Sequence, residues 1–201
     1  MTGFDHYEYD HDTYYCYPGT HILRNKLNIM DEAELHDAER RITAVRAVEL
    51  MKQPLTGRLD FGMLRRIHAF LFGDIYEWAG KVRTVNISKG TCFCRCEYID
   101  RQMELLMRQL AREGTLRQGG REHFASRLAY YMGEINAVHP FREGNGRTQR
   151  EFIRMLAYEN GYWLDFMKIK TEDMLTASRA AFLQDYESLA GLLEQALEER
   201  E

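Results

Sequence analysis

HPFREGNGRTQR, residues 139–150, lies between two stretches of helical periodicity, Glu122–Asn136 before it and Arg147–Asn160 after it. A helix–loop–helix unit of this composition decides a mainly α fold and suggests what the loop handles. Gly144 and Gly146 allow positive φ and close backbone approach. The following helix would offer free N–H groups and its positive dipole end to an anion. Arg147 and Arg150, at i and i+3, share a helix face and can hold phosphate oxygens in bidentate fashion. Glu143 is a hard oxygen ligand placed where Mg²⁺ could bridge phosphates. His139 alone has an ordinary pKa near neutrality, so it is the natural general base.

Taken singly, a Gly-Asn-Gly turn or an arginine in a first helical turn is ordinary. Together, His139, Phe141, Glu143, Gly144, Asn145, Gly146, Arg147 and Arg150 resemble the Fic-domain signature H-x-F-x-[DE]-G-N-G-R-x-x-R at every fixed position. A second stretch, LFGDIYEWAGKVR (Leu71–Arg83), resembles the family's landmark leading into its active-site flap. The resemblance covers roughly Asp31–Asn160 and is nearest to bacterial Fic toxins of toxin–antitoxin pairs, which the segment YPGTHILRNKLNI (Tyr17–Ile29) also resembles. It implies a Fic-fold helical bundle with one β-hairpin beside the active-site loop. It also implies transfer of AMP from ATP to a target protein's hydroxyl side chain, with type II topoisomerase subunits among the relatives' targets.

The resemblance assigns His139 as base, Glu143 to Mg²⁺, and Asn145 with the Gly144 and Gly146 amides to an anion hole. Arg147 and Arg150 would grip the β- and γ-phosphates. Many relatives are held off by a helix bearing [ST]-x-x-x-E-[GN], whose glutamate pairs with the second motif arginine, here Arg150. That pattern is not found in these 201 residues, so the expected inhibitor is a separate small antitoxin.

Length and composition set the frame. A chain of 201 residues can bury a substantial core without disulfides, and one domain is expected: an N-terminal arm (1–30), a Fic core (31–160) and C-terminal helices (161–201). Apolar residues make up 45% and the formal charge is −4, mixed in sign along the chain. No basic stripe points to nucleic acid, and no run of about 18 apolar residues points to a membrane span. The acidic, aromatic start MTGFDHYEYDHD lacks the pattern of a signal peptide, so a cytoplasmic location is expected.

In chain order, the aromatic arm should pack on the body, and His6 and His11 read better as exposed or satisfied than as metal ligands. Tyr17-Pro18-Gly19 is a turn. Asp31 caps a helix with Leu35, Ala38, Ile42, Val45 and Val48 inward, and Asp60 caps a second through Phe72. On the second helix His68 reads as structural. Val82–Ser88, a Lys89-Gly90 turn and Cys92–Tyr98 read as a hairpin. In the family this flap docks the target by strand addition, with Thr91, Cys92, Phe93, Cys94 and Arg95 at the contact. Cys92, Cys94 and Cys96 would share one strand face; without an evident fourth ligand, reduced thiols are favoured over zinc. Helices follow over Ile99–Gly114, Glu122–Val138, Arg147–Asn160, Thr171–Phe182 and Tyr186–Leu197, with Tyr162–Phe166 as a short connection.

Two rival readings stand beside AMP transfer. One is a Fic enzyme moving another phosphate-containing group, such as UMP, phosphocholine or phosphate. The other is a catalytically silent protein-binding module, which loss of His139, Glu143 or Arg147 would have favoured; none is lost.

Overall fold

Local sequence signals set the ends of the first two helices in the computed structural model, which describes residues 12–90, 92–114, 116 and 118–200. His6, His11 and Thr91 lie outside the described residues. Helix α1 (Glu32–Lys52) starts where Asp31 Oδ1 accepts from the Glu34 amide at 2.8 Å, and α2 (Phe61–Phe72) where Asp60 Oδ1 accepts from the Met63 amide at 2.9 Å. Helix α2 buries Met63, Leu64, Ile67, Leu71 and Phe72 along one stripe. Helix α3 (Ile99–Glu113) likewise buries Met103, Leu106, Met107 and Leu110.

Helix α1 departs from its apolar pattern. Val45 and Val48 are 60% and 50% exposed, whereas Glu39 and Thr43 are buried. The helix turns a partly polar face inward because that face meets the loop after residue 138, whose arginine needs an acid.

Helix α4 (Gly120–Val138) packs against α3, α5, α6 and α7 and buries Phe124, Leu128, Tyr131, Met132 and Ile135. Helix α5 (Asn145–Glu159) begins two residues before the expected Arg147, and packs on α2 and α4. Its end is as read: Gly161, at φ +84°, donates to the Tyr158 carbonyl at 3.1 Å. Helices α6 (Thr171–Phe182) and α7 (Glu187–Ala196) close the bundle. One hydrophobic cluster draws on residues from Tyr15 to Leu197.

A small antiparallel sheet has no counterpart in the sequence pattern. Tyr162–Leu164 (β1), within the expected connection, pairs with Leu197–Glu199 (β2), beside the expected end of the last helix. Tyr162 and Leu164 point into the core and Trp163 outward, the period of two that a half-buried strand demands.

The flap is a correction of detail. The chain reverses at Lys89-Gly90, but among the described residues only Ser88 and Cys92 form a bridge, with the Phe93 amide donating to the Ile87 carbonyl at 3.3 Å. The returning limb enters a 3₁₀ turn at Cys96–Tyr98. Side chains take the groups a ladder would use: Arg83 donates to the Val85 carbonyl (2.7 Å) and the Cys94 carbonyl, and the Cys96 amide donates to Asn86 Oδ1 (2.9 Å). The three cysteines consequently do not share a strand face. Cys92 is exposed, while Cys94 and Cys96 pack against the core. All three are free, and among the described residues no group of His, Cys, Asp and Glu could hold a metal ion by itself. Among those residues no helix is long and apolar enough to cross a membrane.

Candidate active site

The loop between α4 and α5 is built from the backbone outward. His139 ends α4 in the left-handed region (φ 51°, ψ 62°), which turns its ring back toward the helix. Nδ1 lies 3.0 Å from the Asn136 carbonyl. A carbonyl only accepts, so Nδ1 carries the proton and Nε2 is the basic nitrogen. The ring is 6% exposed and stacks on Phe93 of the flap, centroids 3.8 Å apart. Burial, against the help of the Asn136 carbonyl and with Arg83 and Lys89 nearby, pulls its pKa down to about 3. The imidazole is therefore neutral at pH 7, as a base must be.

Gly144 has to be glycine. At φ +79°, a Cβ there would stand 2.2 Å from Phe72 Cζ. Gly146 is different from expectation: it lies within α5 and is not among the positive-φ residues, and a Cβ would meet only Arg150 Nη1, at 3.4 Å. What Gly146 leaves open is space over the helix end, not a backbone angle.

Asn145, expected at an anion hole, has its side chain turned to the loop backbone. Its side chain accepts from the Phe141 amide (2.8 Å) and donates to the Phe141 carbonyl (2.7 Å), and the residue is 3% exposed. It braces the loop. The first helical bond of α5 runs from the Thr148 amide to Gly144, and the N-terminus has no side-chain cap. The amides of Asn145, Gly146 and Arg147 thus have no acceptor within the helix.

The two motif arginines part company. No hydrogen bond or ion pair links Arg150 to a described residue. Burial and the neighbouring Arg147 pull its pKa below the ordinary arginine value, with Glu151 opposing. Arg147 is already engaged. Its Nη2 donates to Glu39 Oε1 at 2.5 Å and stands 3.6 Å from Glu143, its Nη1 donates to Thr43 Oγ1 at 3.2 Å, and the guanidinium covers the Phe72 ring at 4.8 Å. The Tyr76 hydroxyl donates to the other Glu39 oxygen at 2.5 Å. Burial, then Glu39, raise the Tyr76 phenol well above its usual range, so it stays a donor.

Glu143 accepts from the Gly144 amide at 2.8 Å and keeps 29% of its side chain exposed. Burial first, and Glu39 second, raise its pKa against the pull of Arg147. Two carboxylates, Glu39 and Glu143, thus stand beside the Arg147 guanidinium.

Several residues of this region carried no sequence signal. Arg83, 1% exposed, binds the His139 carbonyl (2.8 Å) and Val138 carbonyl (3.3 Å) at the end of α4, together with two flap carbonyls. It satisfies the orphan acceptors of a helix end with a buried cation. His68 is structural, as read: the Gly80 amide donates to Nδ1 (2.8 Å), so Nε2 donates to the Glu143 carbonyl (3.0 Å), and burial lowers its pKa to about 3. Asp12 holds the motif's variable Arg142. The one signal that could have found Glu39 was an acid at helical spacing between Leu35 and Thr43. Of the flap residues, Phe93 is brought onto His139, the Cys94 amide donates to the Ala137 carbonyl (3.2 Å), and Cys92 and Arg95 are exposed.

This fold and loop belong to a known class. The Fic/DOC family profile matches residues 58–157, and the chain belongs to that family. It is 44% identical over 177 residues to Probable protein adenylyltransferase y4lH of Sinorhizobium fredii, covering 87% of this chain and 91% of the relative. It is 40% identical over 194 residues to Protein adenylyltransferase VbhT of Bartonella schoenbuchensis, covering 96% of this chain but spanning 40% of that protein's length. Among solved structures, the N-terminal Fic domain of a VirB-translocated Bep effector protein from Bartonella quintana, with bound ADP, superposes with a TM-score of 0.87. That match has 31% identity and covers 93% of this chain and 95% of that one.

Proposed function

We propose that this chain is a protein adenylyltransferase, moving AMP from ATP to a hydroxyl side chain of a target protein. The observation that carries the reading is the juxtaposition at one loop of a neutral, buried His139, an uncapped α5 N-terminus and an arginine, Arg150, with no bond to a described residue. The two relatives above carry the adenylyltransferase name, and the Bartonella quintana domain was solved with ADP.

In the proposed reaction His139 Nε2 takes the proton from the target hydroxyl, which is a poor nucleophile at its own pKa. The freed oxygen attacks the α-phosphorus of ATP as the bond from that phosphorus to the pyrophosphate oxygen breaks. The products are an AMP ester on the target and pyrophosphate. The Asn145, Gly146 and Arg147 amides and the Arg150 guanidinium hold the phosphates through this charge movement. Glu143 is the residue that would hold Mg²⁺: it is a hard oxygen donor beside a second carboxylate, with the remaining ligands left to phosphates and water. When bound, the ion supplies charge neutralisation on the phosphates.

The finer assignments rest on the resemblance. We read the protein as the toxin of a toxin–antitoxin pair working in the cytoplasm, where ATP is available. The flap would dock the target, and a separate antitoxin would present a glutamate to Arg150. Type II topoisomerase subunits are the first targets to test.

The test is label transfer into lysate from α-³²P-ATP and γ-³²P-ATP in parallel, with His139→Ala as control. The expected result is α-label alone, lost by about 10²-fold or more in the variant. Label from γ-³²P-ATP would instead make this a phosphate-transferring relative. No label from either, with the antitoxin absent, would leave a silent binding module.

A further inference from the structure

Glu143 stands beside two arginines, and both are held from outside the motif. Arg142 Nε donates to Asp12 Oδ2 at 2.6 Å, each side chain 1% exposed. Arg147 is bound by Glu39, itself 6% exposed at the side chain, with Thr43 and Tyr76 completing the cluster. These acids lie 130 and 108 residues from their partners. Both precede residues 58–157, the part that the family profile matches. The sequence motif therefore ends well short of the structure that supports it.

We propose that Asp12 and Glu39 are positioning residues, a pair of acids that fix the two arginines whose charges act on Glu143, Arg142 and Arg147, and so set its carboxylate, leaving Arg150 as the phosphate-gripping cation. The proposal rests on the functional reading above and gives the two motif arginines different work. A guanidinium tied by Glu39 on one nitrogen and Thr43 on the other, with its face over Phe72, is ordered when the chain folds rather than when nucleotide arrives. Were Arg147 to grip phosphate as its main task, it would have to do so with only the N–H groups that Glu39 and Thr43 leave over, from a position those two fix. Arg150 has no such tie. Arg142, at the motif's variable position, is likewise seated by an upstream acid, Asp12, and its charge also bears on the Glu143 carboxyl.

The experiment uses the full chain and a non-hydrolysable fluorescent ATP analogue, titrated in EDTA and again at saturating Mg²⁺, beside the α-label assay. Arg150→Ala should weaken analogue binding roughly tenfold in both conditions, the loss expected when a charged contact to bound phosphate is removed. Glu39→Gln and Asp12→Asn should leave binding in EDTA within about twofold, yet cut the Mg²⁺-dependent gain in binding and the transfer rate by roughly tenfold. Glu39→Asp, which keeps the charge, should recover part of that loss. If Glu39→Gln does not fold, Thr43→Val removes one contact to Arg147 without stranding a charge and should show the same pattern more weakly. The proposal is overturned if Glu39→Gln weakens binding in EDTA as much as Arg150→Ala does, because Arg147 would then be the phosphate ligand. It is equally overturned if none of these variants changes the Mg²⁺ response. A wild-type chain that neither binds the analogue nor transfers label would sink the functional reading itself, a result distinct from either.

Discussion

The loop at residues 139–150 and the flap at 82–98 face each other across His139, yet they are held in opposite ways. In the loop, side chains answer to backbone at short range: Asn145 to Phe141 twice, Glu143 to Gly144, and Thr148 to Gly144. Acids from far upstream then hold two of its arginines, Arg142 and Arg147. In the flap, among the described residues, one bridge pairs the limbs, and Arg83, Asn86 and the Ala137 carbonyl take groups that a ladder would use. Under the proposed function, rigidity suits a loop that shapes a phosphate pocket, and a hairpin with little ladder of its own suits docking of another chain.

The comparison breaks hardest at Gly144. Gly144→Ala forces a positive φ on a residue with a Cβ and drives that carbon into Phe72. Strain plus overpacking should cost about 2–4 kcal/mol of stability, seen as a lower denaturation midpoint with unchanged m. Transfer should be lost even where the protein remains folded. Gly146→Ala is the control within the same loop: its backbone is helical, so stability should hold, while nucleotide binding weakens through the methyl placed over the helix end. If the two variants lose stability equally, the view of the loop as a rigid frame hung on Gly144 is wrong.

That contrast also explains what the sequence made legible. The loop could be read because its chemistry is local: a base, an acid, two glycines and three arginines within twelve positions. The helices could be read where their inner faces are apolar, as in α2 and α3. Helix α1 misled in part because its inner face meets the site as well as the core, so Glu39 and Thr43 went in beside Leu35 while Val45 and Val48 stayed out. The flap misled for a related reason. Val82, Val85, Ile87 and Ser88 read as a ladder strand, but Arg83 claims the carbonyls of Val85 and Cys94. Tyr162–Leu164 pairs with a segment at the far end of the chain, a contact no local window contains. Long-range polar partners leave no periodic trace.

The next effect is set by pH. His68 and His139 are both buried, and burial lowers each to a pKa of about 3. In the unfolded chain each returns to about 6.5. The unfolded state therefore binds more protons between those values, and stability falls as pH drops below about 6.5. At pH 5 the loss should approach about 2 kcal/mol per histidine relative to pH 8, because each pH step below the unfolded pKa costs about 1.4 kcal/mol. Urea melts at pH 5 and pH 8 measure it. His68→Asn, or any variant that removes one of the two rings and still folds, should roughly halve the dependence. A flat profile would mean that the rings are not held neutral.

The same histidine ties the flap back to the loop through a smaller effect. Phe93 lies over the His139 ring, so part of the burial that lowers the pKa belongs to the flap. Phe93→Ala should admit water and raise the His139 pKa toward its ordinary value, moving the acid limb of the pH–rate profile upward. The rate at pH 8 should change far less than the rate at pH 5.5. Cys92→Ser, a substitution at an exposed flap residue away from the ring, should shift neither the profile nor stability beyond about 0.5 kcal/mol. If Phe93→Ala lowers the rate equally at every pH, the flap ring serves target docking alone, and the neutrality of His139 is owed to the loop and α4.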